Sequence, residues 1–144
     1  MIKSFKIIYL LIAFSLINLS ISQAQEKSPI EVVKLFGKAY GSPSMDEISN
    51  YTTPKFRDNR PKSFWVVDTW KTLKEIKCQR LNGAVIDTNV KGDRAVVVTE
   101  TKIKTIVGKT SQKDIFYLIK QGKRWLIDKL IVTDEEIDLN KIKL

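Results

Sequence analysis

The chain has 144 residues, with 25 Lys and Arg against 16 Asp and Glu for a net charge of +9; 43% of it is hydrophobic, and it contains one Cys and no His. Length and apolar content fit one packed domain and exclude two. The missing His removes the commonest general base and metal ligand, and the lone Cys78 excludes an internal disulfide framework and a Cys-based zinc site.

Lys3 and Lys6 stand ahead of an apolar run over residues 7–21, and Ser22-Gln23-Ala24 fits a small-x-small cleavage pattern. Residues 1–24 are therefore expected to be a secretory signal peptide cut after Ala24, which makes the protein secreted or periplasmic. The run falls short of the roughly 20 apolar residues of a membrane-spanning helix, so no stable membrane anchor is expected after cleavage. Losing Lys3 and Lys6 with the leader leaves 23 basic against 16 acidic residues, a net charge of +7. Twenty of the basic residues in the full chain are Lys and five are Arg, with no basic run longer than two, which reads as a solvated surface and not as a nucleic-acid site.

Ser28-Pro29-Ile30-Glu31 reads as a helix start, with Ser28 as cap, Pro29 in the first turn and Glu31 closing a capping box. Ile30, Val33, Phe36, Ala39 and Tyr40 then recur at helical spacing, and Gly41 supplies the stop. Ser44-Met45-Asp46-Glu47 repeats the capping-box spacing ahead of a shorter helix carrying Ile48 and Tyr51, which cannot pass Pro54 unbroken. Residues 53–63 are turn-rich, with room for one helical turn and with Phe56 able to tuck inward. A third helix over residues 62–75 is predicted from Phe64, Val67, Trp70, Leu73 and Ile76.

The second half switches to short runs of Val, Ile and Thr between turn signals. Four strands are predicted over residues 76–90 (interrupted at Asn82-Gly83), 94–107, 112–120 and 124–133, with turns at Lys91-Gly92-Asp93, Gly108-Lys109 and Gln121-Gly122-Lys123. Short connections make an antiparallel meander the simplest arrangement. Alternation on the last strand places Trp125, Ile127 and Ile131 on one face and Leu126, Leu130 and Val132 on the other. The third strand sets Ile115, Tyr117 and Ile119 against Phe116 and Leu118. Both sheet faces are thus apolar, and something must cover the second: a second subunit or the C-terminal residues 134–144, whose Asp134-Glu135-Glu136 run itself reads as a solvated tail.

Lys91-Gly92-Asp93-Arg94-Ala95-Val96-Val97-Val98 and Gly122-Lys123-Arg124-Trp125-Leu126-Ile127-Asp128, behind an N-terminal helical layer, resemble the nuclear transport factor 2-like superfamily of cystatin-like α+β rolls, and within it small exported bacterial domains of unknown function. The resemblance covers residues 29–133 and implies N-terminal helices packed on a curved four-stranded antiparallel meander sheet, a cone-shaped roll forming one domain over residues 25–133.

Superfamily enzymes work in the pocket between sheet and helices with a carboxylate or His base and a polar oxyanion partner. Without His, a Tyr and carboxylate pair would have to serve, drawn from Asp68, Asp87, Glu100, Tyr40, Tyr51 and Tyr117, and no spacing selects one. Asp128 reads as a structural ion pair. The aromatic set Tyr40, Tyr51, Trp65, Trp70, Tyr117 and Trp125 admits two readings, a cavity lining for a small apolar ligand or ordinary core. Cys78 reads as a buried small apolar residue, or else as an intermolecular disulfide partner in an oxidising compartment. No motif calls for a cofactor or a metal. The leading expectation is an exported non-enzymatic envelope protein that binds a small apolar ligand or a protein partner through its pocket or sheet face. A Tyr-carboxylate isomerase, cyclase or dehydratase is the alternative from another class, and a structural homodimer joined through the outer sheet face is a third.

Overall fold

Backbone amides at a helix start need acceptors, and in the computed structural model, which describes residues 26–144, helix α1 (Pro29–Ala39) obtains them as the sequence predicts. Ser28 Oγ accepts from the Glu31 amide, and the Glu31 carboxylate accepts from the Ser28 amide at 2.6 Å. Val32, Val33, Phe36 and Ala39 form its buried face, and Gly41, at φ +75, turns the chain away. The proposed signal peptide lies outside the described residues.

Helix α2 (Met45–Ser49) forms without the capping box expected at Ser44, whose side chain makes no cap bond. Ser42 Oγ accepts from the Ser44 amide instead, because the preceding turn brings it within 3.1 Å. The single turn allowed by residues 53–63 is a 3-10 turn, Lys55–Arg57, which sets Phe56 edge-on against Phe36 and Trp65. Helix α3 (Lys62–Glu75) occupies the predicted span in a different rotation. Phe64 and Val67 point outward, 66% and 64% exposed, while Trp65, Val66, Trp70 and Leu73 face the core. The indole of Trp65 docked on Phe56 fixes that rotation, and the stripe one residue away loses to it.

Strands β1 (Gln79–Lys91), β2 (Arg94–Thr105), β3 (Gly108–Gln121) and β4 (Arg124–Thr133) pair antiparallel in the order β1-β2-β3-β4, so the molecule is an α+β fold whose helices precede a curled, unclosed four-stranded meander. Three strand boundaries differ from expectation by more than one residue. β1 begins three residues late because residues 76 and 77 complete the turn off α3, with Lys77 at φ 50. The β2–β3 reversal falls at Ile106-Val107 and not at Gly108-Lys109, which already pair with Thr105 and Lys104.

Bulges matter more, since each one reverses the facing of everything beyond it. In β4 the register slips at Asp128, so Trp125, Ile127, Leu130 and Val132 share the inner, helix-side face and Ile131 joins the outer one. Strict alternation had exchanged Ile131 with Leu130 and Val132. The Asp128 carboxylate accepts from Thr53 Oγ1 at 2.9 Å and from Lys55 Nζ at 2.7 Å, tying the 3-10 turn to the sheet. That edge is closed further by the backbone, with the Thr53 amide on the Ile127 carbonyl and the Ile127 amide on the Tyr51 carbonyl.

Burial works to raise the Asp128 pKa, but the hydrogen bonds from Lys55 and Thr53 and the charges of Lys55 and Arg94 outweigh it and hold the carboxyl below its ordinary value. Such a group stabilises the fold above the unfolded carboxyl pKa and ceases to do so as pH falls through the folded one. Asp128→Asn is expected to cost about 0.5–1 kcal/mol at neutral pH, limited because Lys55 is 72% exposed. The deficit should narrow below about pH 4. Urea unfolding of both proteins at pH 7 and near pH 3 checks this; a gap that widens in acid contradicts it.

The inner face packs Ala95, Val97, Phe116, Leu118, Trp125 and Ile127 against α1 and α2, with Phe116 edge-on to Phe36. The outer face carries Val96, Val98, Ile115, Tyr117 and Ile131, and Ile137, Leu139, Ile142 and Leu144 of the C-terminal segment lie on it. Of the two occupants expected for that face, the C-terminal residues are present, with Asp134, Glu135 and Glu136 exposed ahead of them. Among the described residues no helix is long and apolar enough to cross a membrane.

Candidate functional site

The long strands run past the helical layer, and the inner face of that overhang is where the apolar pattern breaks. Along β2 the inward residues are Ala95, Val97, Thr99, Thr101 and Ile103; on β3 they are Gln112, Asp114, Phe116 and Leu118. β1 carries two further bulges, at Leu81 and Ile86, and opposes Arg80 to Ile103, Gly83 to Thr101 and Val85 to Thr99 on the same face. Without the one at Leu81, Arg80 and Val85 could not both face inward.

These residues form one polar network. Asp114 is 2% exposed. Its Oδ2 accepts from Arg80 Nη2 at 3.1 Å, from Thr101 Oγ1 at 2.9 Å and from Thr99 Oγ1 at 3.4 Å, while its Oδ1 accepts from Gln112 Nε2 at 2.6 Å. Arg80 Nη2 also donates to Thr101 Oγ1 at 2.6 Å. The guanidinium is seated between two glycines: a Cβ on Gly37 of α1 would lie 3.4 Å from Arg80 Nε, and one on Gly83 would lie 3.4 Å from Arg80 Nη2 and 3.2 Å from Thr101 Oγ1. Neither glycine is required by its backbone conformation; a methyl group at 83 would crowd Thr101 Oγ1, and one at 37 would touch the guanidinium at ordinary contact distance.

Over this network lies an open cleft of about 1200 Å³ between α1 and the overhang. Leu73, Ile76, Val85, Ile103, Leu130 and Val132 supply apolar walls; Thr99, Gln112, Arg80, Tyr40 and Cys78 supply polar atoms. Burial pushes the Tyr40 hydroxyl pKa up, aided by the negative charges of Cys78 and Asp114 and opposed by Arg80, so the phenol stays protonated and available as a donor. Burial likewise raises the Cys78 thiol against the opposing charge of Arg80, which makes it a poor nucleophile. Among the described residues no group of three or more Cys, Asp or Glu side chains is placed to hold a metal ion.

The six aromatic candidates do not converge. Tyr40 borders the cleft, stacked on Phe36 at 4.8 Å between ring centroids, and Trp70 borders a smaller hollow of about 300 Å³ beside it. Trp65 and Trp125 are buried in the inner core. Tyr51 sits at the β4 edge beneath the Arg124 guanidinium, 5.1 Å from its ring. Tyr117 is on the outer face with Lys129 over it, because it alternates with Phe116 along β3. The carboxylates considered for catalysis are also elsewhere: Asp68 pairs with Arg60 on the surface, Glu100 is exposed, and Asp87 accepts from the Thr88 amide away from the cleft. Arg80, Thr99, Thr101, Gln112 and Asp114, the residues that build the site, were absent from every sequence-derived candidate set.

No protein-family model matches the chain, and no curated protein does. Solved structures do. A SEC-C motif-containing protein from Rhodopseudomonas palustris superposes with a TM-score of 0.60 at 20% identity, covering 74% of this chain and 80% of its own. A DUF4783 family protein from Bacteroides ovatus gives 0.52 at 18% identity over 77% of this chain and 99% of that one. A hypothetical protein from Catenulispora acidiphila, described as having a ketosteroid isomerase-like fold and crystallised with trimethylamine, gives 0.52 at 8% identity over 74% and 85%. At these identities the likeness defines the fold, a ketosteroid isomerase-like roll.

Proposed function

We propose that the chain is an exported, non-enzymatic member of the nuclear transport factor 2-like superfamily that holds a small apolar or amphipathic ligand in the cleft beneath α1. The carrying observation is the open, apolar-walled cleft with a closed polar network at its floor. Ligand sites have this form, apolar area for affinity and a few fixed polar groups for orientation. Asp114 is 2% exposed, is bonded by Arg80, Thr99, Thr101 and Gln112 and does not line the cleft, so it is committed to the network and not presented to an occupant as a general base would be. That favours binding over the Tyr-carboxylate chemistry of an isomerase or dehydratase.

Ile103→Trp puts a large side chain into the cleft from β2, beside the Arg80 that it opposes across the sheet. Wild-type protein is expected to take up the neutral dye Nile red, and Ile103→Trp to lose that uptake while keeping a cooperative melting transition. Equal uptake by both proteins, or none by either together with no co-purified small molecule in native mass spectrometry, overturns the binding reading. Export is tested separately: expression in a secreting bacterial host should yield a processed chain whose N-terminal residue is Gln25.

A further inference from the structure

Among the described residues the charges bordering the cleft are all of one sign: Lys34, Lys38 and Arg80 line it, and no Asp or Glu does. Lys34 and Lys38 stand one helical turn apart on α1, on either side of Gly37, against which Arg80 is packed. Asp114 balances Arg80 from behind, at 3.1 Å. Neither lysine forms an ion pair among the described residues, and Glu31, one turn ahead of Lys34, is held by the Ser28 amide. Two exposed ammonium groups therefore flank the mouth of a cleft whose floor is already neutralised. Opposite them Ile76 and Val132 leave 38% and 52% of their surface in water, apolar area that an occupant would cover.

We propose that the ligand is a single-chain amphipathic anion, an alkanoate whose chain lies along Leu130, Val132 and Ile103 and whose carboxylate is held between Lys34, Lys38 and the Arg80 edge. This rests on the binding reading above and adds the sign of the head group to it. An uncharged lipid would leave the two ammonium groups without function, and a cationic one would meet two unbalanced like charges at the mouth of the cleft. The cleft is also larger than the roughly 300–1,000 Å³ of an ordinary small-molecule site, which suits an extended chain.

Titration calorimetry with three chain-matched probes tests it: decanoate, decyltrimethylammonium and decanol, each below its aggregation concentration. Decanoate is expected to bind roughly tenfold more tightly than either of the others, and its affinity to fall with added salt. The double variant Lys34→Glu/Lys38→Glu, both sites being exposed, should lose decanoate binding by a similar factor and keep decanol binding. Equal affinity for all three probes, or a preference for the cation, overturns the anionic assignment and leaves the cleft-binding reading standing. No binding of any probe to folded wild-type protein overturns both.

Discussion

Asp114→Ala is expected to lower the stability of the domain by about 3–5 kcal/mol, a large share of what a chain of this size possesses. The reason is the asymmetry of buried charge. Asp114 is the common acceptor for Arg80, Thr99, Thr101 and Gln112, and removing it strands a guanidinium whose side chain is only 18% exposed. The pair itself need not be a net stabiliser. Replacing both partners, in Arg80→Met/Asp114→Asn, should restore at least half of the loss, because no unpaired charge is then left inside. Urea unfolding of the three variants with wild type gives the comparison. A single Asp114→Ala variant within about 1 kcal/mol of wild type would show that water reaches Arg80 freely and that the network is not the floor of the cleft.

A chain ending at Thr133 is expected to become less stable and to self-associate. It uncovers Val96, Val98 and Ile115, with Tyr117 and Ile131 beside them, on the outer face of the sheet. Ile137, Leu139, Ile142 and Leu144 are each only partly buried on that face. Their lost burial lowers the stability of the truncated chain, by an amount that the regained freedom of the segment reduces. The uncovered patch is continuous and apolar, the kind of surface that pairs with another copy. Light scattering across a concentration series should show the full chain gaining mass less readily than the truncated one. Identical behaviour of the two would mean that the C-terminal residues do not protect the face. A full chain that is already dimeric would support the homodimer reading.

Most of the architecture was legible because its causes are local. The Ser28 capping box, the three helical spans and the four hairpin-linked strands each follow from residues close in sequence. The apolar outer face also announced that it needed a cover. What failed has two physical sources. Helix rotation is decided by tertiary packing: Trp65 against Phe56 outranks the equally periodic stripe of Phe64 and Val67. Strand facing is decided cumulatively, so the slips at Leu81, Ile86 and Asp128 each reverse the residues beyond them. Those slips hid Arg80 and misassigned Ile131. Asp114 was within reach, since counting back by twos from Leu118 and Phe116 arrives at Asp114 and Gln112 on the same face. A carboxylate on an otherwise apolar face is the signal that locates the site, and the aromatic residues, conspicuous in the sequence, mostly build core instead.

The two glycines around the Arg80 guanidinium carry a consequence for how this protein can vary. Positions 37 and 83 both border the Arg80 side chain, where a Cβ at either would stand 3.4 Å from the guanidinium group, so side chains longer than alanine compete with it for space. Sequence drift at these three places is expected to be correlated. A descendant that trades Arg80 for a short residue gains freedom to lengthen positions 37 and 83, and with that exchange Asp114 loses its counter-charge and the cleft its polar floor. The small residues at 37 and 83 are thus a readable mark, in any related sequence, of whether the charged floor has been inherited.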